Sequence, residues 1–262
     1  VEKVVYVATR NDGTPAPSAS TILSNAREVF ADDRYRGVSV QLPRRDVEEE
    51  RDRVRGGVLS QMSSGEPSPE PRRLVALVTL WVDSADELGQ AGGFLNEFCD
   101  EVTGYVVTET VSRWWVTADG PPAGGVNAVS LLHRNRTMTR ERFLQHWAEV
   151  HMPISLRYHP QWRYVRNPVV RTLVGDSTRA PDAIAEEGFA TPRDLIDPMR
   201  FYGVDDGTTE TLEINKKIVF DDVPVFLDVA STATFVTQEH VIRTPWTPYA
   251  IPAAEPVAGK RR

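Results

Sequence analysis

The chain has 262 residues, 40% hydrophobic and 26% charged, with a formal net charge of −7 and one cysteine, Cys99. This allows one large domain or two small ones with a sizeable core. It excludes an intrachain disulfide and a cysteine zinc cluster, and the absence of a basic stripe argues against a nucleic-acid partner.

Residues 3–9 form a β-branched and aromatic run that reads as a strand. No leader-like segment opens the chain, and no apolar run approaches the ~20 residues that span a bilayer, so a cytoplasmic protein with no membrane partner is expected. Ser18 and Ser20 can start a helix carrying Ile22, Leu23, Ala26 and Phe30 on one side. Residues 35–42 alternate, with Val38 and Val40 on one face and Ser39 and Gln41 on the other. The charge-dense 44–58 reads as a solvated helix, and 62–71 as a loop. The apolar run 73–82 predicts a central strand, 84–98 a helix capped by Ser84, and 102–115 a further strand. This β-α-β, β-α-β order predicts a ferredoxin-like unit.

A Pro/Gly cluster at 119–125 reads as a linker, after which the pattern restarts. Strands are predicted at 128–133, 162–173 and 231–243, with a helix from Thr139 through Val150. Residues 183–190 read as a weak edge strand, 191–199 as a short helix, 205–213 as a polar loop and 225–229 as a short turn or helix. The expected organisation is therefore an N-terminal unit at 1–118, a C-terminal unit at 126–243 and an extended Pro-rich tail at 244–262. The halves also resemble each other. With Glu109 placed on Glu239, Tyr105 meets Phe235, Val106 meets Val236, Val111 meets Val241 and Arg113 meets Arg243. Such a repeat buries its sheet face best against its own copy, so the fold class is α+β with two tandem ferredoxin-like units in a barrel-like pair.

Residues 129–172 carry a basic residue after a strand (Arg134), a Thr139-capped helix with Phe143 and Trp147, then His151, Pro153, Tyr164 and Asn167. Asp222, Phe226, Leu227, Asp228 and Glu239 follow. This constellation resembles the EthD family of the dimeric α/β-barrel superfamily. The first half lacks the Trp-x-x-x-His pair, so the resemblance gives the second half the site and leaves the first a scaffold. It further implies a homodimer.

Phe143, Trp147, His151 and Ile154 recur at helical spacing, so His151 falls on an apolar stripe where Pro153 ends the regular turn. It is read either as a core histidine satisfied by a backbone carbonyl or as a proton carrier facing a cavity. Tyr164 is either a core-edge tyrosine or a pocket phenol, and Asn167 either shapes the backbone before Pro168 or points an amide into the pocket. His146 and His151 are five apart and diverge by roughly 140° on an α-helix, which is not a metal-binding pair. No metal and no cofactor are expected, and no dinucleotide, P-loop or nucleophile-elbow motif occurs.

The resemblance implies a cofactor-independent lyase (dehydratase, decarboxylase or cyclase) acting on an aromatic or polyketide-like molecule. In that reading His151, Tyr164 and Asn167 do the chemistry, and Phe143, Trp147, Tyr158 and Phe226 wall a small hydrophobic substrate. EthD itself is an accessory component, so a non-catalytic carrier or accessory protein of an oxidative pathway is the alternative. A cofactor-independent or haem-linked oxygenase is the third.

Overall fold

The computed structural model describes residues 1–11, 17–55, 73–88, 91–113 and 125–245. The expected loop at 62–71, the linker at 119–124 and the tail from 246 onward lie outside them. The first half runs β1 (Glu2–Arg10), α1 (Ala19–Val29), β2 (Tyr35–Pro43), α2 (Arg45–Arg55), β3 (Arg73–Val82), β4 (Glu101–Val107) and β5 (Thr110–Arg113). The second runs β6 (Val126–Leu132), α3 (Arg140–His146), a π turn (Trp147–His151), α4 (Met152–Tyr158), β7 (Gln161–Val174) and β8 (Ala183–Phe189). It ends with α5 (Pro192–Ile196), α6 (Pro198–Phe201), α7 (Thr209–Phe226) and β9 (Ala233–Arg243).

Every strand pair is antiparallel, and the order β4-β1-β3-β2-β9-β6-β8-β7 returns to β4, so the sheet closes into an eight-strand barrel. Each half contributes its strands in the order last, first, third, second, which is the ferredoxin-like arrangement. Closure follows from the pattern of side chains. Along β1, Val4, Tyr6 and Ala8 pack outward with Ile22 and Ala26 of α1, while Val5 and Val7 pack inward with Val129 and Ile184 of the other half. A sheet apolar on both faces needs a cover on each, and the second half covers the inner one. For the same reason β8 is not the edge strand expected from its weak signal. It lies between β6 and β7.

The repeat read from the last strands extends through the whole register. Gly104 faces Tyr6 across β4 and β1, and Thr234 faces Ser130 across β9 and β6. Tyr6 therefore corresponds to Ser130, and Gly104 to Thr234. By the same pairings Lys3 corresponds to Asn127 and Gln41 to Asn167.

The lumen also holds a buried polar network. Glu186 accepts from Lys3 (3.0 Å), Gln41 (2.9 Å), Asn167 (2.9 Å) and Arg163 (3.3 Å). Lys3 reaches Glu109 at 2.7 Å, and Arg163 reaches Glu239, which also accepts from Ser39 at 2.7 Å. These partners come from both halves, so the network joins them across the lumen.

The arginines aligned in the repeat have matching roles. Arg113 donates to Leu156 O (2.6 Å) and to Gln161 O, at the α4–β7 turn of the second half. Arg243 donates to Ala31 O (2.9 Å), Asp32 O (2.8 Å) and Tyr35 O (2.7 Å), at the α1–β2 turn of the first. Each half thus supplies donors to the orphan carbonyls at the other's helix end. Arg243→Ala is expected to lower the unfolding free energy by about 2 kcal/mol, read as a lower urea midpoint at unchanged slope.

Two helices differ from expectation. The described residues of 84–98 form the 3-10 turns Ala85–Glu87 and Gly93–Glu97 in place of an α-helix. The segment contains Gly89, Gly92 and Gly93, each costly in a helix, and a Cβ at Gly92 would lie 2.7 Å from the Tyr6 ring. Conversely, the polar 205–213 and the short apolar 225–229 belong around one 18-residue helix, α7, capped by Thr208 and continuing through Pro224. No described helix is long and apolar enough to cross a membrane.

Candidate active site

The second half opens a cleft of about 880 Å³ between the outer face of its sheet and its helices. Its floor includes Ala128, Ser130, Ala185, Glu187 and Thr234, and its walls include Trp147, His151, Tyr164 and Phe226. Helix α2 of the first half also lines it.

The π turn sets the geometry of the wall. Pro153 has no N–H, so an unbroken α-helix would leave the Glu149 carbonyl without a donor and bring the proline ring against it. The turn widens instead, and Met152 N–H bonds to Trp147 O. A π turn closes its hydrogen bond over i→i+5, so residues five apart diverge far less than on an α-helix. The divergence expected of His146 and His151 therefore does not arise, and both reach one carboxylate. His146 Nε2 lies 2.7 Å from Asp222 Oδ1, and His151 Nδ1 lies 2.8 Å from Asp222 Oδ2. Both imidazoles lie against the Phe226 ring, one turn beyond Asp222 on α7, with centroids at 5.2 and 4.7 Å.

Asp222 is 8% exposed. Burial pushes its carboxyl up, but the hydrogen bonds from His151 and His146 outweigh this and hold it below the ordinary carboxylate range. An ionised Asp222 accepts, so the His151 proton sits on Nδ1. Nε2, on the other edge of the ring, keeps its lone pair and has no protein partner among the described residues.

Tyr164 is 1% exposed, and its hydroxyl accepts from Trp147 Nε1 at 2.8 Å. Burial, with the charge of Glu187 beside it, pushes the phenol far above its ordinary value. It therefore remains protonated, and its own O–H is left to donate. Glu187 accepts from Ser155 Oγ at 3.0 Å, and Gln161 Nε2 donates to Ser155 at 2.7 Å. The Arg166 guanidinium lies 5.6 Å from the Trp147 ring centroid.

The structure thus brings together His151, Tyr164, Trp147 and Phe226. It does not bring in the other three expected site residues. Asn167 is fully buried on the lumen face, donating to Glu186 and to Ile184 O (3.1 Å). Tyr164 and Asn167 are three apart in one strand, and such residues point to opposite faces. Phe143 is fully buried behind the wall, stacked on Trp147 and Phe226 at 5.9 Å each. Tyr158 packs against the neighbouring core cluster beneath α5 and α6, with Arg157 over its ring.

Residues that sequence reasoning left out of the site are Asp222, His146 and Glu187. Asp222 stood in the EthD-like constellation without a role, and its i, i+4 spacing to Phe226 gains meaning once α7 is known to be a helix. Of the remaining histidines, His159 bonds through Nδ1 to Phe201 O at 2.8 Å, and burial lowers His133 and His240. Among the described residues no group of three or more His, Cys, Asp and Glu side chains is arranged to hold a metal.

No family model matches the chain. Nor does any curated protein. The fold does have solved relatives. A crystal structure described as an anthrone oxidase-like protein is similar over 94% of this chain and 95% of its own, with a TM-score of 0.55 and 8% identity. A "Putative monooxygenase" of Fusobacterium nucleatum is similar over 92% of both chains, with a TM-score of 0.42 and 7% identity. The first likeness shows the barrel fold of paired ferredoxin-like units.

Proposed function

We propose that the cleft is the active site of a cofactor-independent enzyme that removes a proton from an aromatic or polyketide-like small molecule. The observation that carries this reading is the His151–Asp222 pair, with Nδ1 tied to the carboxylate and Nε2 left for a ligand in an aromatic-walled cleft. A base oriented in this way can take a proton at Nε2 while the carboxylate stabilises the imidazolium that forms. The Tyr164 O–H supplies a donor for the enolate or phenolate oxygen that develops. Trp147 and Phe226 offer apolar faces to a planar ring. From the enolate, departure of a β-hydroxide as water with the imidazolium proton, or attack on a carbonyl carbon with that proton going to the alkoxide, completes a dehydratase or cyclase reaction; a decarboxylase would instead form the enolate by losing carbon dioxide and take its proton from the imidazolium. The EthD-like run at 129–172 supports the same class.

A second reading shares the first step. The enolate is oxidised by dioxygen, which makes the protein an oxygenase. It is favoured by the fold likeness to the anthrone oxidase-like protein.

Anthrone tests the shared step, because its acidic C–H exchanges with solvent. Under nitrogen in D2O, wild type is expected to speed deuterium uptake at that carbon by at least ~10²-fold over His151→Gln. Equal rates in the two proteins would remove His151 as the base. Repeating the reaction in air separates the two fates by product.

A further inference from the structure

The two halves share a register, yet only the second has the cleft just described. The difference lies at one pair of facing positions. In the first half these are Tyr6 and Gly104, and the Tyr6 ring fills the space. Cβ atoms placed on Gly92 and Gly104 would stand 2.7 and 2.8 Å from that ring, so glycine is needed at both. In the second half the same pair is Ser130 and Thr234. Both are half-buried, both line the cleft, and their hydroxyls are 2.8 Å apart. One hydroxyl donates to the other. The second O–H then has no partner among the described residues.

The hydroxyl pair and the Tyr164 end lie on one face of the sheet, with small residues between. Tyr164 pairs with Glu187, and Glu187 with Ala128. Ser130 is one repeat further along β6 and pairs with Ala185. Two strand spacings of ~4.8 Å and one two-residue step of ~6.8 Å put Tyr164 and Ser130 about 12 Å apart at their Cα atoms. Beside Glu187, the intervening Ala128 and Ala185 carry only methyl groups and leave room above the sheet.

We infer that Ser130 and Thr234 form a second subsite of the cleft, which hydrogen-bonds a hydroxyl or carbonyl oxygen at the end of a planar polycyclic ligand away from Tyr164. The inference rests on the reading of the cleft as a substrate site and adds a specificity element to it. The hydroxyl pair both donates and accepts, so it selects an oxygenated ring end over a bare one.

The test compares two probes that differ only in the remote oxygen, 2,6-dihydroxyanthraquinone and 2-hydroxyanthraquinone, by titration calorimetry. Wild type is expected to bind the dihydroxy probe roughly fivefold to tenfold more tightly, the worth of one neutral hydrogen bond. Ser130→Ala/Thr234→Val, which removes the hydroxyls at nearly constant volume, is expected to bring the ratio near one. His151→Gln is expected to keep it. Ser130→Tyr copies the first half and is expected to weaken both probes at least tenfold while the circular dichroism of the fold is retained. Wild type showing no preference or no binding, or the double variant keeping the preference, overturns the subsite. Loss of deuterium exchange with the preference intact, by contrast, sinks only the assignment of His151 as base.

Discussion

Lys3→Met is expected to destabilise the protein by about 3–5 kcal/mol at neutral pH, although Lys3 lies on the opposite face of the sheet from the cleft. Its ammonium is buried, bonds Glu109 and Glu186, and sits 5.1 Å from the Trp81 ring centroid. Removing it leaves Arg163 as the cation facing Glu109, Glu186 and Glu239 in the lumen. The pH dependence follows from Glu186. Burial pushes its carboxyl up, but Lys3 and then Arg163 outweigh this and bring it from the usual 4.5 down to about 2. The folded value lies below the unfolded one. The stabilisation is therefore complete above ~4.5 and is lost as pH falls through ~2. Without Lys3 the carboxyl takes up its proton at higher pH, so the gap between variant and wild type narrows as the solution is acidified. Urea unfolding near pH 7 and near pH 4 measures both effects. A variant within about 1 kcal/mol of wild type near pH 7 would show that the lumen solvates Glu186 without Lys3.

Asp222→Asn is expected to lower kcat by roughly 10²–10⁴-fold while KM changes little. Asp222 touches no substrate in the proposed reaction. It positions His151 and neutralises the imidazolium. An amide cannot accept from both imidazoles as a carboxylate does, and it carries no counter-charge. The hydrogen bonds from His151 and His146 hold the carboxyl below the ordinary carboxylate range, so Asp222 stays ionised through neutral pH and supplies the counter-charge there. Loss of the native circular dichroism in Asp222→Asn would instead indicate a merely structural role. A parallel rise in KM would place Asp222 in ligand binding.

Much of the fold was legible because strand signals are local. The run of apolar residues at β3 and the alternation in β2 were sufficient, and the Glu109–Glu239 alignment gave the repeat before any pairing was known. The misses have physical causes. Three glycines in 84–98 outweighed the Ser84 cap. Helix α7 was hidden because its start is polar and a proline lies near its end, features that score as loop when tertiary packing is unknown. At the site, Trp147, His151 and Tyr164 were singled out by the EthD-like resemblance, and helical spacing put Trp147 and His151 on one stripe. Asp222 stood in the same resemblance without a role, because it lies 71 residues from His151 and the π turn that lets one carboxylate serve both histidines has no simple sequence signature. Asn167 was misplaced by neglect of strand parity, since its partner in the repeat, Gln41, shares its bond to Glu186.

Closure of the barrel also has a cost in time. β9 zips between β2 and β6, and it brings Glu239 to Ser39 across 200 residues of chain. Contacts of such long range are slow to form. Until β9 has been synthesised, β2 and β6 present bare edges, each a template for another growing chain. The nascent protein is thus prone to aggregate for as long as β9 is missing, and the arrival of that strand ends the exposure.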